Sequence, residues 1–367
     1  MKLTLKNQIE ITGLDDFEQE LIESSCTHSN PKYFEAQKQG RYTGNIPREI
    51  KLFSRTPDGL IVPSGLFSEL LLEEPDADID DQRNINPVSI PFTGQLRPYQ
   101  QRFIDDGLYY EGGVMVAATG AGKTVSAIAL AARLGQRTLI LVKSKDLGKQ
   151  WLDAIKQFTG LDAGMIGGGK NTEGAQFTIG LVQSLVKRNL SELDYGLVIA
   201  DECHNAPACQ FMHVINGMNC RYKYGLSATP QRRDNLEFMI FAALGEICAE
   251  IGQDQLEGKV LPVSVQTIRH PFDDTVESWN DFINSLINDD SRNDLIIHLA
   301  NLQSKPTIIL CSQVRQCEIL TTLALDAGLK PLLIHLGSYR TKYAQSVWRR
   351  LIQPLLLSAQ RSYWVKA

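Results

Sequence analysis

Short apolar runs alternate with longer amphipathic stretches from Pro91 onward, and this alternation determines the prediction for most of the chain. Five runs of apolar and small residues predict buried strands, at 114–117, 138–142, 177–182, 196–200 and 222–226. Apolar residues at helical spacing lie between or before them, at 98–108, 124–134 and 144–158. A repeated alternation of strand and helix is typical of a parallel sheet covered by helices, so we predict an α/β fold.

The first 88 residues have a different pattern, which predicts a small α+β domain. Asp15 or Asp16 is a candidate N-cap for a short amphipathic helix. The turn-forming tetrapeptide T-P-D-G at 56–59 separates I-K-L-F-S from L-I-V-P, which predicts a β-hairpin. The acidic, proline-containing run Glu73–Asp81 predicts a solvated linker at the end of this domain.

Residues 31–48 leave two interpretations open, because aromatic and basic side chains are interleaved there. Such a mixture suits stacking on nucleic-acid bases and pairing with phosphates. The alternative is that Tyr33, Phe34 and Tyr42 belong to the core of the small domain.

The rest of the chain divides into two α/β units in our prediction. The first unit spans 89–262. A helical stretch at Trp279–Leu302 and an apolar run from Pro306 predict the start of a second unit over 263–367. Its α/β part is too short for a complete doubly wound domain.

Composition narrows the class of protein without identifying it. The 367 residues carry a formal net charge of −5, so a nucleic acid would have to bind a local surface. The seven cysteines form no C-x-x-C pair, which favours free thiols in a reducing compartment. We recognise neither a signal peptide nor an apolar run of membrane-spanning length, and therefore expect a cytoplasmic protein without membrane contact. The oligomeric state is left open.

The most informative stretch is V-M-V-A-A-T-G-A-G-K-T at 114–124. A strand, a loop of small residues and a helix N-terminus follow one another here, and this arrangement presents backbone N–H groups and the helix dipole to a phosphate. Lys123 can reach the β- and γ-phosphates of ATP, and Thr124 can hold Mg²⁺. The strict phosphate-loop pattern has Gly where this chain has Ala117. The predicted loop residues are Thr119, Gly120, Ala121 and Gly122.

A second chemical signal is the strand L-V-I-A, which ends in Asp201 and Glu202. Asp201 can hold Mg²⁺, directly or through water, and Glu202 can orient or deprotonate an attacking water. Past the fifth strand, L-S-A-T-P places Ser227 and Thr229 where their hydroxyl groups can bond to Asp201 and His204. With the phosphate loop, these residues supply most parts for attack on a γ-phosphate, except an arginine on its far side.

The motifs L-R-P-Y-Q, A-A-T-G-A-G-K-T, D-E-C-H and S-A-T-P, in this order, resemble those of superfamily 2 helicases of the DExH type. The segment R-Y-K-Y-G-L-S-A-T-P-Q-R-R-D is similar to the branch of xeroderma-pigmentosum group B type helicases and restriction-system motor subunits. An unrelated P-loop kinase or transport ATPase is not expected to carry these motifs in order. The resemblance implies RecA-like lobes that bind ATP between them and move along nucleic acid, and the branch it points to favours DNA over RNA as the partner. It covers 96–251 firmly and 306–350 weakly.

The resemblance also implies roles for individual residues. Gln100 matches a glutamine that reads adenine, and Asp201 with Glu202 matches the hydrolytic pair. The residues that couple hydrolysis to movement are matched by His204, Ser227 and Thr229. Contacts with the sugar-phosphate backbone of the tracking strand are implied for two segments at strand ends, 142–147 and 181–185, through Ser144, Lys145, Gln183 and Ser184.

The C-terminal part departs from the family's pattern. A G-E-G-x-D segment and a Q-x-x-G-R-x-x-R segment with arginine fingers are expected in the second lobe, and the sequence contains neither. Read from the third base of the Gln360 codon, permitted codons allow T-E-I-L-L-G-E-G across 359–367, so we hypothesise a frameshift that truncated this lobe. We therefore expect an incomplete second RecA-like lobe and impaired hydrolysis. The alternative is a catalytically inactive remnant that binds nucleotide or DNA.

Overall fold

The computed structural model describes residues 1–205, 208–229, 234–256, 265–271, 278–304 and 307–330. The chain divides into two units, Met1–Glu257 and Gly258–Ala367. Because the N-terminal region and the first predicted lobe share one unit, the predicted boundaries at 88 and 262 stay predictions. Among the described residues, no helix combines the length and the apolar character needed to cross a membrane.

The N-terminal region is built around a five-stranded sheet with the order β5-β6-β2-β1-β7. All neighbours are antiparallel except β1 and β7, which are parallel. Strands β3 and β4 form a separate two-stranded sheet. The elements are β1 (Lys2–Leu5), β2 (Gln8–Thr12), α1 (Asp16–Ser25), β3 (Thr27–Ser29), α2 (Pro31–Lys38), β4 (Glu49–Lys51), β5 (Ser54–Thr56), β6 (Gly59–Pro63), α3 (Phe67–Glu73) and β7 (Asp78–Asp81).

Local predictions in this region are confirmed in part. Asp15 caps α1, where its side chain accepts a hydrogen bond from the Glu18 backbone and the Glu18 side chain accepts one from the Asp15 backbone. The hairpin predicted around T-P-D-G is the β5–β6 pair. The acidic run is not simply a linker, because Asp78–Asp81 forms strand β7. An edge strand pairs through its backbone on one side and leaves charged side chains in solvent, so its polar sequence concealed it.

The first lobe contains an eight-stranded sheet with the order β11-β10-β12-β9-β13-β14-β8-β15. Every pair is parallel except β10 with β11. The elements are α4 (Pro98–Tyr109), β8 (Gly112–Ala117), α5 (Lys123–Leu134), β9 (Thr138–Val142), α6 (Lys145–Thr159), β10 (Gly164–Gly167), β11 (Lys170–Thr172), β12 (Phe177–Leu181), α7 (Val182–Leu185), β13 (Leu197–Asp201), α8 (Ala208–Gly217), β14 (Tyr222–Ser227), α9 (Glu237–Leu244) and β15 (Ile247–Ile251).

Residues on successive positions of each strand pack into separate cores on the two faces of this sheet. In β9, Ile140 and Val142 belong to a cluster with apolar residues of α4, α5 and α6. Leu139 and Leu141 belong to another cluster, which contains apolar residues of α8, α9 and the N-terminal sheet. Burial on both faces explains why the five predicted strands are continuous apolar runs, and all five are confirmed.

Lys223 of β14 joins the N-terminal region to the first lobe. It is 4% exposed, and its Nζ donates hydrogen bonds to Asn7 O at 2.9 Å, Ser64 Oγ at 3.0 Å and Ile215 O at 3.1 Å. Nearby, Gly65 packs so closely on α9 that a β-carbon built on it would lie 2.3 Å from Phe241 O. The N-terminal region is therefore packed directly on the sheet that carries the predicted motifs.

The described part of the second unit is helical, with α10 (Trp279–Ile287), α11 (Asp290–Asn301) and α12 (Val314–Asp326). The predicted helical stretch at 279–302 is thus two helices, and the second begins after the N-cap Asp289. The predicted strand from Pro306 is wrong for its described residues, since 307–311 form no strand. A strand needs a neighbour to pair with, and the described part of this unit offers none. Residues 331–367, including I-H-L-G-S-Y-R, lie outside the described residues.

Candidate nucleotide-binding and nucleic-acid-binding site

The predicted phosphate loop lies between the end of β8 and the start of α5. Gly120 and Gly122 adopt φ of 88° and 86°, a left-handed conformation that favours glycine. Helix α5 begins at Lys123, so its first N–H groups have no acceptor within the helix. Lys123 and Thr124 are half-buried in this first turn, whereas Thr119 is exposed and Ala121 is buried. Strand, loop and helix thus have the geometry predicted for a phosphate site.

Gln100 of α4 contacts this loop directly. Its Nε2 donates a hydrogen bond of 2.8 Å to Ala121 O, and its Oε1 accepts one of 2.9 Å from the Arg97 backbone. A β-carbon built on Gly122 would lie 2.4 Å from Gln100 Nε2, so the buried amide fits only against a glycine. The structure therefore brings Gln100 to the phosphate loop, and its role toward adenine stays a prediction.

The acidic pair lies at the end of β13, at the same sheet edge as the loop: Asp201 is the last residue of the strand and Glu202 follows it. Lys123 Nζ lies 3.3 Å from Glu202 Oε1, and His204 Nδ1 lies 3.4 Å from Glu202 Oε2. Glu202 has a φ of 50°, which is uncommon for a residue with a side chain. The carboxylate of Glu202 thus contacts the phosphate-loop lysine on one side and a histidine on the other.

Asp201 is anchored by a residue that the motifs did not single out. The Nε1 of Trp151, which is 1% exposed, donates a hydrogen bond of 2.8 Å to Asp201 Oδ2. Burial raises the pKa of Asp201, and the neighbouring Glu202 raises it further; the Trp151 hydrogen bond and the charge of Lys123 act in the opposite direction. In the sequence, Trp151 is one of the apolar residues at helical spacing over 144–158, and nothing in that pattern indicates where its indole N–H points.

Ser227 connects His204 to the end of β14. Its Oγ lies 2.8 Å from His204 Nδ1, and the backbone N–H of Thr229 donates to it at 3.1 Å. The single hydroxyl proton of Ser227 is donated to the Thr229 carbonyl oxygen. In the contact between Ser227 and His204, Nδ1 of His204 is therefore the donor. The predicted bond of Ser227 to His204 is therefore present. Among the described residues, Thr229 contacts Ser227 through its backbone N–H and carbonyl groups, whereas the sequence predicts a contact through its hydroxyl.

The predicted nucleic-acid residues lie at the ends of β9 and β12, which are adjacent parallel strands. Ser144 caps α6 by accepting a hydrogen bond of 3.3 Å from the Leu147 backbone, and Lys145 is exposed. Gln183 is exposed and Ser184 is half-buried. The two segments thus share the sheet edge of the phosphate loop, and their contact with nucleic acid stays a prediction.

A glycine hairpin missed by the sequence reasoning lies against both segments. Gly167, the last residue of β10, and the two residues that connect it to β11, Gly168 and Gly169, all have positive φ. β-Carbons built on Gly167 and Gly168 would lie 2.7 Å from Ser184 Oγ and 2.9 Å from Lys145 Cε. The repeated glycines G-G-G are the signal that could have revealed this close approach.

Comparison with known proteins agrees with the motifs. Residues 93–232 match the family described as type III restriction enzyme, res subunit. Probable helicase D10 of Escherichia phage T5 is 31% identical over 206 residues, which are 54% of this chain and 42% of that protein. DNA 3'-5' helicase XPB of Mycobacterium tuberculosis is 33% identical over 172 residues, which are 44% of this chain and 31% of that protein. The chain thus spans less than half the length of these two relatives.

A solved structure extends the comparison to the fold. The crystal structure of T4 UvsW matches with a TM-score of 0.53 at 16% identity, covering 96% of this chain and 78% of that one. At this identity the match shows the fold alone, which is the predicted RecA-like arrangement. The predicted resemblance to superfamily 2 helicases is therefore confirmed, by the family match over 93–232 and by these helicase relatives.

Proposed function

We propose that this chain acts in the cytoplasm as an ATP-dependent DNA translocase or helicase of superfamily 2. The observation that carries the proposal is a continuous set of contacts from Lys123 through Glu202 and His204 to Ser227. These contacts link the phosphate loop to the ends of β13 and β14. Because His204 contacts both Glu202 and Ser227, a change at the hydrolytic carboxylate can be passed to another strand.

The residues of the loop fit a nucleoside triphosphate with Mg²⁺. Gly120 and Gly122, both with positive φ, leave the loop backbone uncovered at two positions, and the first N–H groups of α5 offer donors for phosphate oxygens. Lys123 would neutralise phosphate charge, while Thr124 and Asp201 would hold Mg²⁺. When bound, ATP supplies a γ-phosphoryl group whose transfer to water releases free energy. Glu202 would orient that water and accept its proton.

Binding of a triphosphate must change the partner of Lys123. Its ammonium now contacts the Glu202 carboxylate, and phosphate oxygens would compete for the same cation. Loss of this pairing leaves Glu202 free to act on water, with His204 still in contact. We infer that nucleotide binding and activation of the base are coupled through this exchange.

DNA is favoured over RNA by the names of the relatives. Several are named DNA 3'-5' helicases or translocases, including archaeal and bacterial proteins. One viral relative is named a putative ATP-dependent RNA helicase. The predicted contact residues, Ser144, Lys145, Gln183 and Ser184, would bind the sugar-phosphate backbone and not read bases.

The second candidate is a nucleotide- or DNA-binding remnant without turnover. It is favoured by one specific observation: the 367 residues contain no Q-x-x-G-R-x-x-R segment to supply arginine fingers. An arginine finger contributes about 10³- to 10⁵-fold to the rate of phosphoryl transfer in other NTPases. We therefore expect slow hydrolysis by this polypeptide alone.

The test is steady-state ATP hydrolysis with and without single-stranded DNA, next to equilibrium binding of a fluorescent ATP analogue. The wild type should bind the analogue and DNA and show DNA-stimulated turnover, even if slow. Lys123→Ala should lose nucleotide binding, whereas Glu202→Gln should keep it and lose turnover. If the wild type and Glu202→Gln bind nucleotide equally well and neither hydrolyses it, the chain is the binding remnant of the second candidate. A wild type that binds neither nucleotide nor DNA would overturn both candidates.

A further inference from the structure

In the N-terminal region, acidic and basic residues are concentrated on different elements. Residues 1–88 contain sixteen acidic and nine basic residues, but 31–48 contain four basic residues and one acidic residue. Residues 15–25 and 67–81, which include α1, α3 and β7, contain acidic residues and no basic ones. Helix α2 and the loop 39–48 therefore carry a local excess of positive charge on a negatively charged region.

Three basic residues elsewhere in the N-terminal region make ion pairs. Lys2, Lys6 and Arg55 pair with Asp80, Glu10 and Glu23, at 3.8, 3.6 and 2.6 Å. All four basic side chains of 31–48 are exposed, and none of them makes such a pair with a described residue; they are Lys32, Lys38, Arg41 and Arg48. The exposed Lys51, three positions beyond this segment, also makes no such pair. We call the four basic residues of 31–48, together with Tyr42, the basic surface. Among the described residues, none of these four cations has a carboxylate oxygen within ion-pair distance.

An exposed aromatic side chain belongs to the same segment of the chain. Tyr42 is 80% exposed, and its ring lies over the backbone of Gly44, since a β-carbon built on that glycine would lie 2.1 Å from the Tyr42 hydroxyl. Phe34 of α2 is also 40% exposed. The interpretation of 31–48 as aromatic core is therefore wrong for Tyr42 and Phe34, and a large ring remains available for stacking.

The loop that carries Tyr42 is held at both ends. The Asn30 side chain donates to Pro47 O at 2.8 Å and accepts from the Lys32 backbone at 3.1 Å. The Asn30 backbone donates to Arg48 O at 2.9 Å, and the Arg41 backbone donates to Ala36 O at 2.8 Å. A tethered loop loses less conformational entropy when it binds a ligand than a free one does.

We propose that the basic surface binds single-stranded DNA, with phosphates on Lys32, Lys38, Arg41 and Arg48 and an unpaired base stacked on Tyr42. Cations without an ion-pair partner attract the phosphate backbone, and an exposed ring offers a face to any base. The same combination does not suit an acidic protein segment, which lacks flat bases. The site is formed by α2 and the loop 39–48, whereas the predicted contacts at Lys145 and Gln183 follow β9 and β12. The identification of the ligand as DNA rests on the proposed function, whereas the description of the basic surface rests only on the residues of 31–48.

The test measures binding of fluorescein-labelled oligodeoxythymidine to the full chain without nucleotide, between about 50 and 200 mM salt. Replacing all four basic residues by alanine should weaken binding at least tenfold and reduce the slope of log affinity against log salt by about three, since each lost contact with a single strand removes roughly 0.7. Tyr42→Ala should weaken binding roughly tenfold, whereas Tyr42→Phe should stay within about twofold. The matched control Lys2→Ala/Lys6→Ala/Arg55→Ala removes paired cations and should leave affinity within about twofold.

Three outcomes would overturn the proposal. The first is a variant with all four basic residues replaced that has the affinity and salt slope of the wild type. If Lys145→Ala then weakens binding, the proposed function stands and only the role of the basic surface is excluded. The second is equal competition by polyglutamate together with wild-type binding by Tyr42→Ala, which would indicate an acidic protein partner. The third is a wild type that binds no DNA at the lowest salt. Unchanged thermal unfolding midpoints would show that the variants are folded.

Discussion

The indole N–H of Trp151 holds one oxygen of the Asp201 carboxylate at 2.8 Å, although the two residues are fifty positions apart. Trp151→Phe keeps a ring in the core and removes this donor. Because the hydrogen bond lowers the pKa of Asp201 against the effect of burial, the pKa should rise further in the variant. Mg²⁺ binds the ionised carboxylate, so half-maximal hydrolysis should need roughly tenfold more Mg²⁺. The deficit should grow as pH falls, and a Mg²⁺ titration at several pH values measures it.

Tyr224→Phe is the matched control for Trp151→Phe. It also removes a buried hydrogen-bonding group, because the Tyr224 hydroxyl contacts the carbonyl oxygens of Gly107 and Tyr110 at 3.0 and 2.6 Å. It should lower the free energy of unfolding by about 1–3 kcal/mol without changing the Mg²⁺ dependence. If Trp151→Phe behaves in the same way, the indole has a packing role only.

The contact between His204 and Ser227 predicts a variant that separates binding from coupling. Ser227→Ala removes the hydroxyl at 2.8 Å from His204 Nδ1 and changes little else in volume. Nucleotide affinity should stay near that of the wild type, since Lys123 and Glu202 are untouched. Stimulation of hydrolysis by DNA should fall roughly tenfold, equivalent to about 1.4 kcal/mol. Paired measurements of nucleotide binding and DNA-stimulated turnover test this.

Ser126→Ala provides the comparison for Ser227→Ala. Ser126 is also fully buried, and its hydroxyl has no hydrogen-bond partner among the described residues. Its removal should therefore leave both stability and stimulated turnover close to those of the wild type. Wild-type stimulation in Ser227→Ala would mean that the His204–Ser227 contact does not transmit the effect of DNA.

The sequence predicts those parts of the molecule whose signal is local. Continuous apolar runs identify β9 and β13, because strands buried on both faces tolerate few polar residues. Strand β10, with only four residues and glycine at both ends, lacks such a run and is missed. The acidic strand β7 is missed because an edge strand can be charged.

In the candidate site, too, features with a local sequence signal are predicted and those that depend on packing are not. Its backbone features and charged residues are predicted from motifs, and the ion pair of Lys123 with Glu202 agrees with them. The contact of Trp151 with Asp201 depends on how α6 packs against β13, which no short pattern records. The same holds for Lys223: it lies in the run 222–226 that predicts a buried strand, but no short pattern indicates that its ammonium group finds acceptors on Asn7, Ser64 and Ile215.

Lys223 predicts an unusual dependence of stability on pH. Burial lowers its pKa from 10.5 to about 8, Arg83 lowers it slightly and Cys220 raises it. Between these two values the unfolded chain binds more protons than the folded one, so this lysine makes stability rise as pH rises. Below about pH 8 both states are protonated, and the contribution is constant. Other groups titrate in this range, so the comparison must be made with a variant.

Lys223→Met provides that comparison, because methionine fills similar volume without titrating. The difference in unfolding free energy, wild type minus variant, should increase by up to about 3 kcal/mol between pH 8 and 10.5. Urea unfolding at a series of pH values measures it. A difference that is constant over this range would show that Lys223 has an ordinary pKa and that water reaches its ammonium.

The contact of Gly65 with α9 predicts that the N-terminal region and the first lobe unfold together. A β-carbon at position 65 would lie 2.3 Å from Phe241 O and 2.4 Å from Gly245 N, and backbone atoms cannot move aside independently. Gly65→Ala should therefore force the N-terminal sheet away from the helix and lower the unfolding free energy by about 3 kcal/mol or more. Gly40→Ala is the control, because Gly40 has a φ of 64° but no atom within 4 Å, so only about 1 kcal/mol of backbone strain is expected. Two separate transitions in wild-type urea unfolding, with Gly65→Ala affecting only the first, would contradict the view that this contact joins the two parts into one cooperative unit.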